Sequence, residues 1–261
     1  MLITKIFYKV VFSSDVIVPP FTSKVSKTLL LARCPEMERE FKSREPYKKY
    51  SISVIFHGEK PIINFKGKGM LRLRAGAPYT FTVSYIGEFP HSIIGAWEAD
   101  IFGTKAVVQT MHVISQYIDR LMLPKSRYYT VNFITPVLLR IPGGEKPVYD
   151  LCPNPWLIYH SIAAHWNKYA PSQLKIPVKG SDIYSIWRKL KLVHHRLKIV
   201  DVYYGDKPFR SFIGTATYEV SADLLDNVRR LFAYANYVGV GKSRSIGFGQ
   251  VNIVAGEKQR F

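Results

Sequence analysis

The sequence is poor in cysteine and has no long apolar run. Its two cysteines, Cys34 and Cys152, lie far apart and have no metal-ligand spacing. We therefore expect no disulfide framework and a reducing compartment. No apolar run approaches the length of a membrane span, and the start, MLITKIFYKVVFSSD, alternates like a strand and lacks the pattern of a signal peptide. These features predict a soluble, cytoplasmic protein without a membrane partner.

Carboxylates are also scarce: the chain has 19 Asp and Glu but 37 Lys and Arg, which gives a net charge of +18. Residues 60–74 and 227–256 contain no carboxylate at all. A field of this sign attracts polyanions, although a generally basic protein has the same composition. The basic residues of these stretches that we expect to bind nucleic acid are Lys66, Lys68, Arg72, Arg74, Arg229 and Arg230. Strand alternation would place the first four on one face.

The predicted elements follow the same order twice. The first half has a strand at 2–12, a helix at 21–33, strands at 50–57, 66–74 and 78–86, a short helix near 91–100 and a strand at 106–118. The second half has a strand at 128–135, a helix at 155–169, strands at 193–204 and 208–220, a helix at 222–236 and a strand at 249–255. This β-α-β-β-α-β order predicts an α+β fold of two tandem ferredoxin-like, RRM-like domains, residues 1–122 and 123–261.

The segment GVGKSRSIGFG at 239–249 is similar to a phosphate-binding P-loop, but Asn236 occupies the place of the first required glycine. A helix precedes it and a strand follows, which is the reverse of the P-loop order. We expect its glycines, Gly239, Gly241, Gly247 and Gly249, to bring exposed N–H groups close to a ligand. Lys242, Ser243 and Arg244 at the tip would donate to phosphate, and the alternative is a flexible loop with glycine turns.

Three segments carry a family resemblance: NYVGVGKSRSIGFGQV, VNFITPVLLR and FIGTATYEV. They resemble the RAMP superfamily, and specifically the CRISPR-associated endoribonucleases of the Cas-six family, which cut repeat RNA out of precursor transcripts. The resemblance implies a cut without metal or cofactor, in which the 2′-hydroxyl attacks the adjacent phosphate and leaves a 2′,3′-cyclic phosphate and a 5′-hydroxyl. It implies CRISPR repeat RNA as partner, both as precursor and as product. Other effector subunits and a second copy of the chain are further candidate partners.

Histidine is missing from residues 1–56, where members of this family commonly place a catalytic one. Lys24 and Lys27, three apart on one helix face, and Lys48 and Lys49, ahead of the next strand, are the cations of this region. We expect the transition state to be stabilised by Lys24, Lys27, Lys49, Ser243 and Arg244, with Lys48 as an RNA contact. The alternative is that the first-helix lysines are a solvated helix face.

No metal site is expected from the histidines or carboxylates. His160 and His165 are splayed by their spacing of five on a helix, and His194 and His195 point to opposite faces of a strand. Two other functions remain open: a RAMP-type subunit that holds CRISPR RNA without cutting it, and a general RNA-binding protein outside CRISPR systems. The missing histidine favours the non-cutting subunit, whereas two complete domains and the first-helix lysines favour the enzyme.

Overall fold

A computed structural model describes residues 1–143, 146–178 and 182–256. The first half contains β1 (Leu2–Phe12), β2 (Val16–Val18), α1 (Ser23–Arg33), α2 (Met37–Lys42), β3 (Tyr50–Ile52), β4 (Phe56–His57), β5 (Lys60–Pro61), β6 (Leu71–Leu73), β7 (Tyr79–Ile86), β8 (Ala96–Ile101) and β9 (Thr104–Tyr117). The second half contains β10 (Tyr128–Val137), β11 (Leu139–Arg140), β12 (Tyr149–Asp150), α3 (Pro155–Tyr169), α4 (Ile183–Lys189), β13 (Leu190–Tyr204), β14 (Lys207–Val220), α5 (Leu225–Val238) and β15 (Val251–Gly256). Residues 118–127 link the two halves.

The first sheet has the strand order β5-β4-β7-β1-β9-β8, and β3 also pairs with β7. In the central strand β1, Tyr8 and Val10 are buried while Lys9 is exposed, because alternate residues of a strand face opposite sides. The apolar stripe of α1, with Val25 and Leu29, packs into the same core. The first helix therefore packs on the face of this sheet that carries Tyr8 and Val10.

The predicted short helix near 91–100 is wrong. Residues 96–101 form strand β8, in which Trp97, Ala99 and Ile101 are buried and alternate with exposed residues. A period of two belongs to a half-buried strand, and β8 pairs with β9 from Ala96 to Ile101 as a hairpin. Only His91–Ile93 is helical, as a single 3₁₀ turn.

The predicted strand at 66–74 is only partly correct, since the strand is limited to β6 and pairs with β2. Gly67 has a φ of 144°, which breaks the extended alternation ahead of β6. Lys66 and Lys68 therefore lie outside the strand and do not continue the face of Arg72, so the single four-cation face is wrong. Arg72 forms an ion pair with Asp15 instead.

The second half has the regular ferredoxin-like order, β10-α3-β13-β14-α5-β15, with the strands arranged β13-β14-β10-β15. The first half keeps this arrangement as β4-β7-β1-β9, but β8 replaces one of its helices. In the second half α3 is capped at its start: the Asn154 side chain accepts from the N–H groups of Trp156 and Leu157, and Pro155 takes the first helical position. None of the helices within the described ranges has the length and apolar character that a membrane crossing requires.

The two halves pack directly on one another. Phe21 of the first half stacks on Phe248 of the second at 4.6 Å between ring centroids. Arg229 and Arg230 of α5 donate to the carbonyl oxygens of Leu123 and Asp119 in the linking segment, at 2.9 and 3.2 Å. These two arginines therefore hold the linking segment against α5.

Candidate active site

The glycine loop, residues 239–249, packs very closely against backbone atoms of its own and of neighbouring segments. Gly249 has a φ of 68°, and a Cβ atom there would lie 1.9 Å from the carbonyl oxygen of Val240. Gly241 has a φ of 74°, and its Cβ would lie 2.5 Å from the carbonyl oxygen of Leu138. Only glycine fits both the left-handed backbone and this spacing.

Most backbone N–H groups of the loop donate hydrogen bonds to acceptors within the protein. Internal acceptors take the N–H groups of Gly239, Val240, Gly241, Lys242, Gly247, Phe248 and Gly249. The expectation that the four glycines expose N–H groups to a ligand is therefore wrong. Their effect is to let the loop fold tightly between the two halves of the chain.

The loop supports the start of α1. The Ser23 hydroxyl donates to the carbonyl oxygen of Ile246 at 2.7 Å, and a Cβ on Gly247 would lie 2.8 Å from the Cβ of Ser23. The Ser51 hydroxyl of β3 donates to the carbonyl oxygen of Arg244 at 3.3 Å. These contacts set the position of α1 and β3, and hence of the lysines that flank them.

Three lysines from two segments gather beside this loop. Lys24 lies over the ring of Tyr204 at 5.2 Å, and Lys27 over the ring of Phe41 at 5.0 Å. Lys48 donates to the carbonyl oxygens of Phe41 and Glu40 at 2.8 and 3.1 Å and contacts the Tyr50 hydroxyl at 3.4 Å. Burial lowers the pKa of Lys27, assisted by the charge of Lys42, and burial together with Lys27 lowers the pKa of Lys48.

Two tyrosines complete this cluster. Burial raises the pKa of Tyr50, and the nearby Glu40 and Tyr204 raise it further, whereas a hydrogen bond with the Ser245 side chain lowers it. Burial also raises the pKa of Tyr204. Both phenols therefore stay protonated and can donate hydrogen bonds at neutral pH. We call Lys24, Lys27, Lys48, Tyr50 and Tyr204 the lysine site.

Sequence reasoning selected the lysines of this site but not its two tyrosines. Tyr50 directly follows Lys48 and Lys49 at the start of a predicted strand, which was a usable signal. Tyr204 lies at the tip of the β13–β14 hairpin, and nothing in its local sequence connects it with α1. Only the docking of the two halves brings it to Lys24.

The other expected catalytic residues are engaged in contacts within the protein. Lys49 forms an ion pair with Glu40 at 2.9 Å, which neutralises its charge. Arg244 is 5% exposed and donates to the carbonyl oxygen of Ser161 at 2.6 Å, and burial lowers its pKa to about 10. Its guanidinium is thus directed into the protein, so it is not a phosphate donor at the loop tip. Ser243 has a φ of 62° and forms the turn that starts a 3₁₀ segment.

Apart from the lysine site, Lys242 lines a basic crevice of about 150 Å³ together with Tyr47, Arg140 and His160. Its ammonium lies 4.7 Å from the centroid of the Tyr47 ring. Burial lowers the pKa of His160, and the charge of Lys242 lowers it further, so this imidazole is neutral near pH 7. The crevice can accept a phosphate group, and it brings His160 next to the loop cation Lys242.

The basic residues of 66–74 are exposed but not grouped. Lys68 lies over the ring of Tyr203 at 5.6 Å and 3.9 Å from Asp206, which places it beside the tip of the β13–β14 hairpin. Lys66, Arg72 and Arg74 are exposed at other positions of the loop and of β6. Among the described residues, no three His, Cys, Asp or Glu side chains gather into a metal-binding group.

Two ferredoxin-like domains in tandem, with a basic site beside a C-terminal glycine loop, define a RAMP-type protein. The family model for the Cas6 N-terminal domain matches residues 4–115, and the model for the CRISPR-associated endoribonuclease Cas6 matches residues 131–251. The chain belongs to the Cas6 family of CRISPR-associated endoribonucleases, the family that processes CRISPR repeat RNA. The family resemblance found in the sequence is thereby confirmed.

Relatives of known identity cover almost the whole chain. CRISPR-associated endoribonuclease Cas6 1 of Saccharolobus solfataricus is 23% identical over 288 residues, which cover 97% of this chain and 96% of that protein. The structure of Thermus thermophilus Cas6 aligns with a TM-score of 0.66 and 17% identity over 97% of this chain and 98% of that one. A Cas6 product complex aligns with a TM-score of 0.65 and 18% identity over 97% and 100%. These structures confirm the predicted fold class of two tandem ferredoxin-like domains.

Proposed function

We propose that this chain cuts CRISPR repeat RNA at the lysine site without a metal ion. The observation that carries the proposal is the meeting of Lys24, Lys27 and Lys48 beside two protonated tyrosines. Within the described residues none of the three lysines forms an ion pair with a carboxylate. No carboxylate therefore neutralises their charge, in a partly buried place where it acts more strongly than in water. Lys48 acts on a phosphate through its charge alone, since its three N–H groups are directed to Glu40, Phe41 and Tyr50.

In the proposed reaction the 2′-oxygen attacks the adjacent phosphorus and the bond from phosphorus to the 5′-oxygen breaks. The 2′-hydroxyl loses its proton and the 5′-oxygen gains one, so the products are a 2′,3′-cyclic phosphate and a 5′-hydroxyl. Burial lowers the pKa of Lys27, so its ammonium group donates a proton to the departing 5′-oxygen more readily than that of an exposed lysine. Lys24, Lys48 and the tyrosine hydroxyls stabilise the charge that develops on the phosphate oxygens.

The rate of this enzyme is expected to be modest. A positioned histidine acid or base typically contributes about 10²–10⁴-fold, and the lysine site contains none. Slow cleavage follows from this composition, and we propose that the cationic surface retains the product. Solved Cas6 structures include a product complex and a substrate mimic complex, and by analogy we place RNA on this chain along Lys68, the lysine site and Lys242. We further propose that the two domains divide after residue 122.

The deciding experiment is cleavage of end-labelled repeat RNA in EDTA, beside the same RNA with one 2′-deoxy nucleotide at the cut site. One cut in EDTA that the deoxy nucleotide abolishes supports the proposal, and the product ends are then checked for cyclic phosphate and free hydroxyl. Tight binding without any product would contradict it and would favour the RAMP-type subunit that holds CRISPR RNA. Equal affinity for unrelated single strands would favour a general RNA-binding protein.

A further inference from the structure

A second surface with the chemistry of an RNA contact lies far from the lysine site, around α4. Residues 183–200, IYSIWRKLKLVHHRLKIV, contain no carboxylate. Trp187 is 54% exposed and Tyr184 is 78% exposed, and their spacing of three places both rings on one side of the helix. Two exposed aromatic rings side by side form an apolar patch, and such patches mark interaction surfaces more often than single exposed rings do.

Two grooves flank this helix and differ in character. On one side, Trp187 lines a groove of about 360 Å³ with Cys152, Pro155 and Leu192, which is mostly apolar. On the other side, a groove of about 620 Å³ is lined by a set of cationic residues: Lys125, Arg127, Arg188, Lys189 and Lys191. Lys191 belongs to both grooves, so aromatic and cationic groups are adjacent along one path.

Glu219, which lines the cationic groove, and the neighbouring Asp223 are both paired with cations. Glu219 forms an ion pair with Arg127, and Asp223 forms one with Lys189 at 2.6 Å. Within the described part of the chain, Lys125, Arg188 and Lys191 have no ion-pair partner. Exposed cations continue along β13 at Arg196 and Lys198, which share one face of the strand.

We propose that this surface, Tyr184, Trp187, Arg188, Lys191 and Lys125, binds single-stranded RNA continuous with the repeat. Bases stacked on aromatic rings beside phosphates paired with cations are the usual arrangement for single strands. Charge complementarity selects RNA over a protein partner, since an apolar protein contact would leave three cations unmatched. The proposal rests on the proposed function for the identity of the RNA.

The position of this surface separates it from cleavage. β13 runs from Leu190, next to α4, to Tyr204 in the lysine site, and its extended rise places the two ends roughly 40 Å apart. An RNA that occupies both places must follow the hairpin past Lys198 and Arg196. The α4 surface therefore holds transcript at a distance from the cut and takes no part in the chemistry.

The chain carries its own probe for this contact. Of its four tryptophans, Trp97, Trp156 and Trp166 are buried and Trp187 is exposed. Binding of an unstructured uridine oligonucleotide of about ten residues should quench the fluorescence of Trp187. Trp187→Phe should abolish the quenching and retain the affinity, because a phenyl ring still stacks. Cys152 in the apolar groove is exposed while Cys34 is buried, so bound oligonucleotide should also slow the alkylation of Cys152.

The decisive comparison uses the full chain with repeat RNA that carries or lacks a single-stranded extension. The extension should tighten binding by roughly fivefold or more, and Tyr184→Ala with Trp187→Ala should remove that gain while cleavage of the bare repeat continues. Tyr117→Ala is the matched control, since Tyr117 is 51% exposed with Arg120 over its ring at 5.6 Å.

Three results would overturn the proposal: an extension without effect on affinity, quenching that persists in Trp187→Phe, or protection of Cys152 by self-association in the absence of RNA. Failure of the proposed function is a separate result. A chain that does not cut repeat RNA but whose Trp187 is quenched by the oligonucleotide would retain the α4 surface and lose the enzyme.

Discussion

The ammonium group of Lys24 lies 5.2 Å from the centroid of the Tyr204 ring, and this contact joins the first helix to a hairpin tip in the other half of the chain. The next residue, Gly205, is close enough that a Cβ there would lie 3.8 Å from the same ammonium group. The lysine site therefore exists only when the two domains are docked. The cleavage rate should therefore respond to substitutions in either domain at this interface.

Loss of the Tyr204 ring should weaken cleavage more than loss of its hydroxyl. A cation held over an aromatic face is stabilised by about 1–2 kcal/mol when partly desolvated, which corresponds to about five- to thirtyfold in rate. Tyr204→Ala should show this reduction, and Tyr204→Phe a smaller one. Single-turnover cleavage rates measure both. Equal rates for the two variants would mean that the ring does not position Lys24.

Removal of both helix lysines should nearly abolish the cut. Cations aimed at developing charge typically contribute about 10²–10³-fold, so Lys24→Ala with Lys27→Ala should reduce the single-turnover rate by this amount. Lys42→Ala is the control, because Lys42 is exposed and paired with Glu38 at 2.8 Å. Cleavage by the double variant at the rate of the Lys42→Ala control would rule out the lysine site.

As the pH is raised, the cleavage rate should begin to decline at a lower pH than it would for lysines with the ordinary pKa of 10.5. Burial lowers the pKa values of Lys27 and Lys48 below 10.5, so their ammonium charge is lost as the pH rises through those lowered values. At a pH below these pKa values the two charges stabilise the transition state, and at a pH above them they do not. Lys27→Arg keeps the charge to higher pH and should move the decline upward. A pH profile that is identical in both proteins would show that Lys27 does not supply the charge.

Stability should fall on acidification because of His165. Its Nε2–H donates to the carbonyl oxygen of Lys48 at 3.0 Å, and Nδ1 accepts from the Tyr234 hydroxyl at 2.7 Å, which requires the neutral ring. Burial, assisted by the charge of Arg244, lowers the pKa of His165 well below 6.5. Below pH 6.5 the unfolded chain therefore binds a proton that the folded chain does not, and the free energy of unfolding decreases.

The expected loss from this one group is about 1–2 kcal/mol between about pH 7 and pH 5. Urea unfolding at the two pH values measures it. His165→Gln keeps a polar side chain without the titration, so the same comparison should show a smaller decrease. An unchanged decrease in the variant would assign the pH dependence to other groups.

Gly249 should tolerate alanine far less well than Gly58. Both glycines have a left-handed φ, 68° and 59°, but a Cβ on Gly58 meets nothing within 4 Å while one on Gly249 meets the Val240 carbonyl. Gly58→Ala should cost about 1–2 kcal/mol from the backbone alone. Gly249→Ala adds overpacking and should cost about 3–5 kcal/mol of unfolding free energy. Similar losses in the two variants would mean that the loop relaxes without strain.

Regular elements with a clear period were predictable from the sequence. The helices at α1, α3 and α5 and the long strands β1, β7, β13 and β14 match the predicted segments closely, because their apolar residues repeat with one period over many positions. The errors fell on short segments. Residues 96–101 offer only three buried positions, and Gly67 interrupts a run that otherwise alternates.

The family also followed from the sequence by itself, since the glycine motif is a local feature, and the first-helix lysines could be named as candidate site residues for the same reason. Which cations meet was decided only by the tertiary structure. The Lys24 ammonium lies over the Tyr204 ring, Lys49 forms an ion pair with Glu40, and Arg244 donates to the carbonyl oxygen of Ser161. The physical reason is that the free energy of a charge depends on its burial and its partners. Tyr204 reaches Lys24 only after the two halves of the chain pack together, whereas Glu40 and Ser161 reach Lys49 and Arg244 when their own half folds.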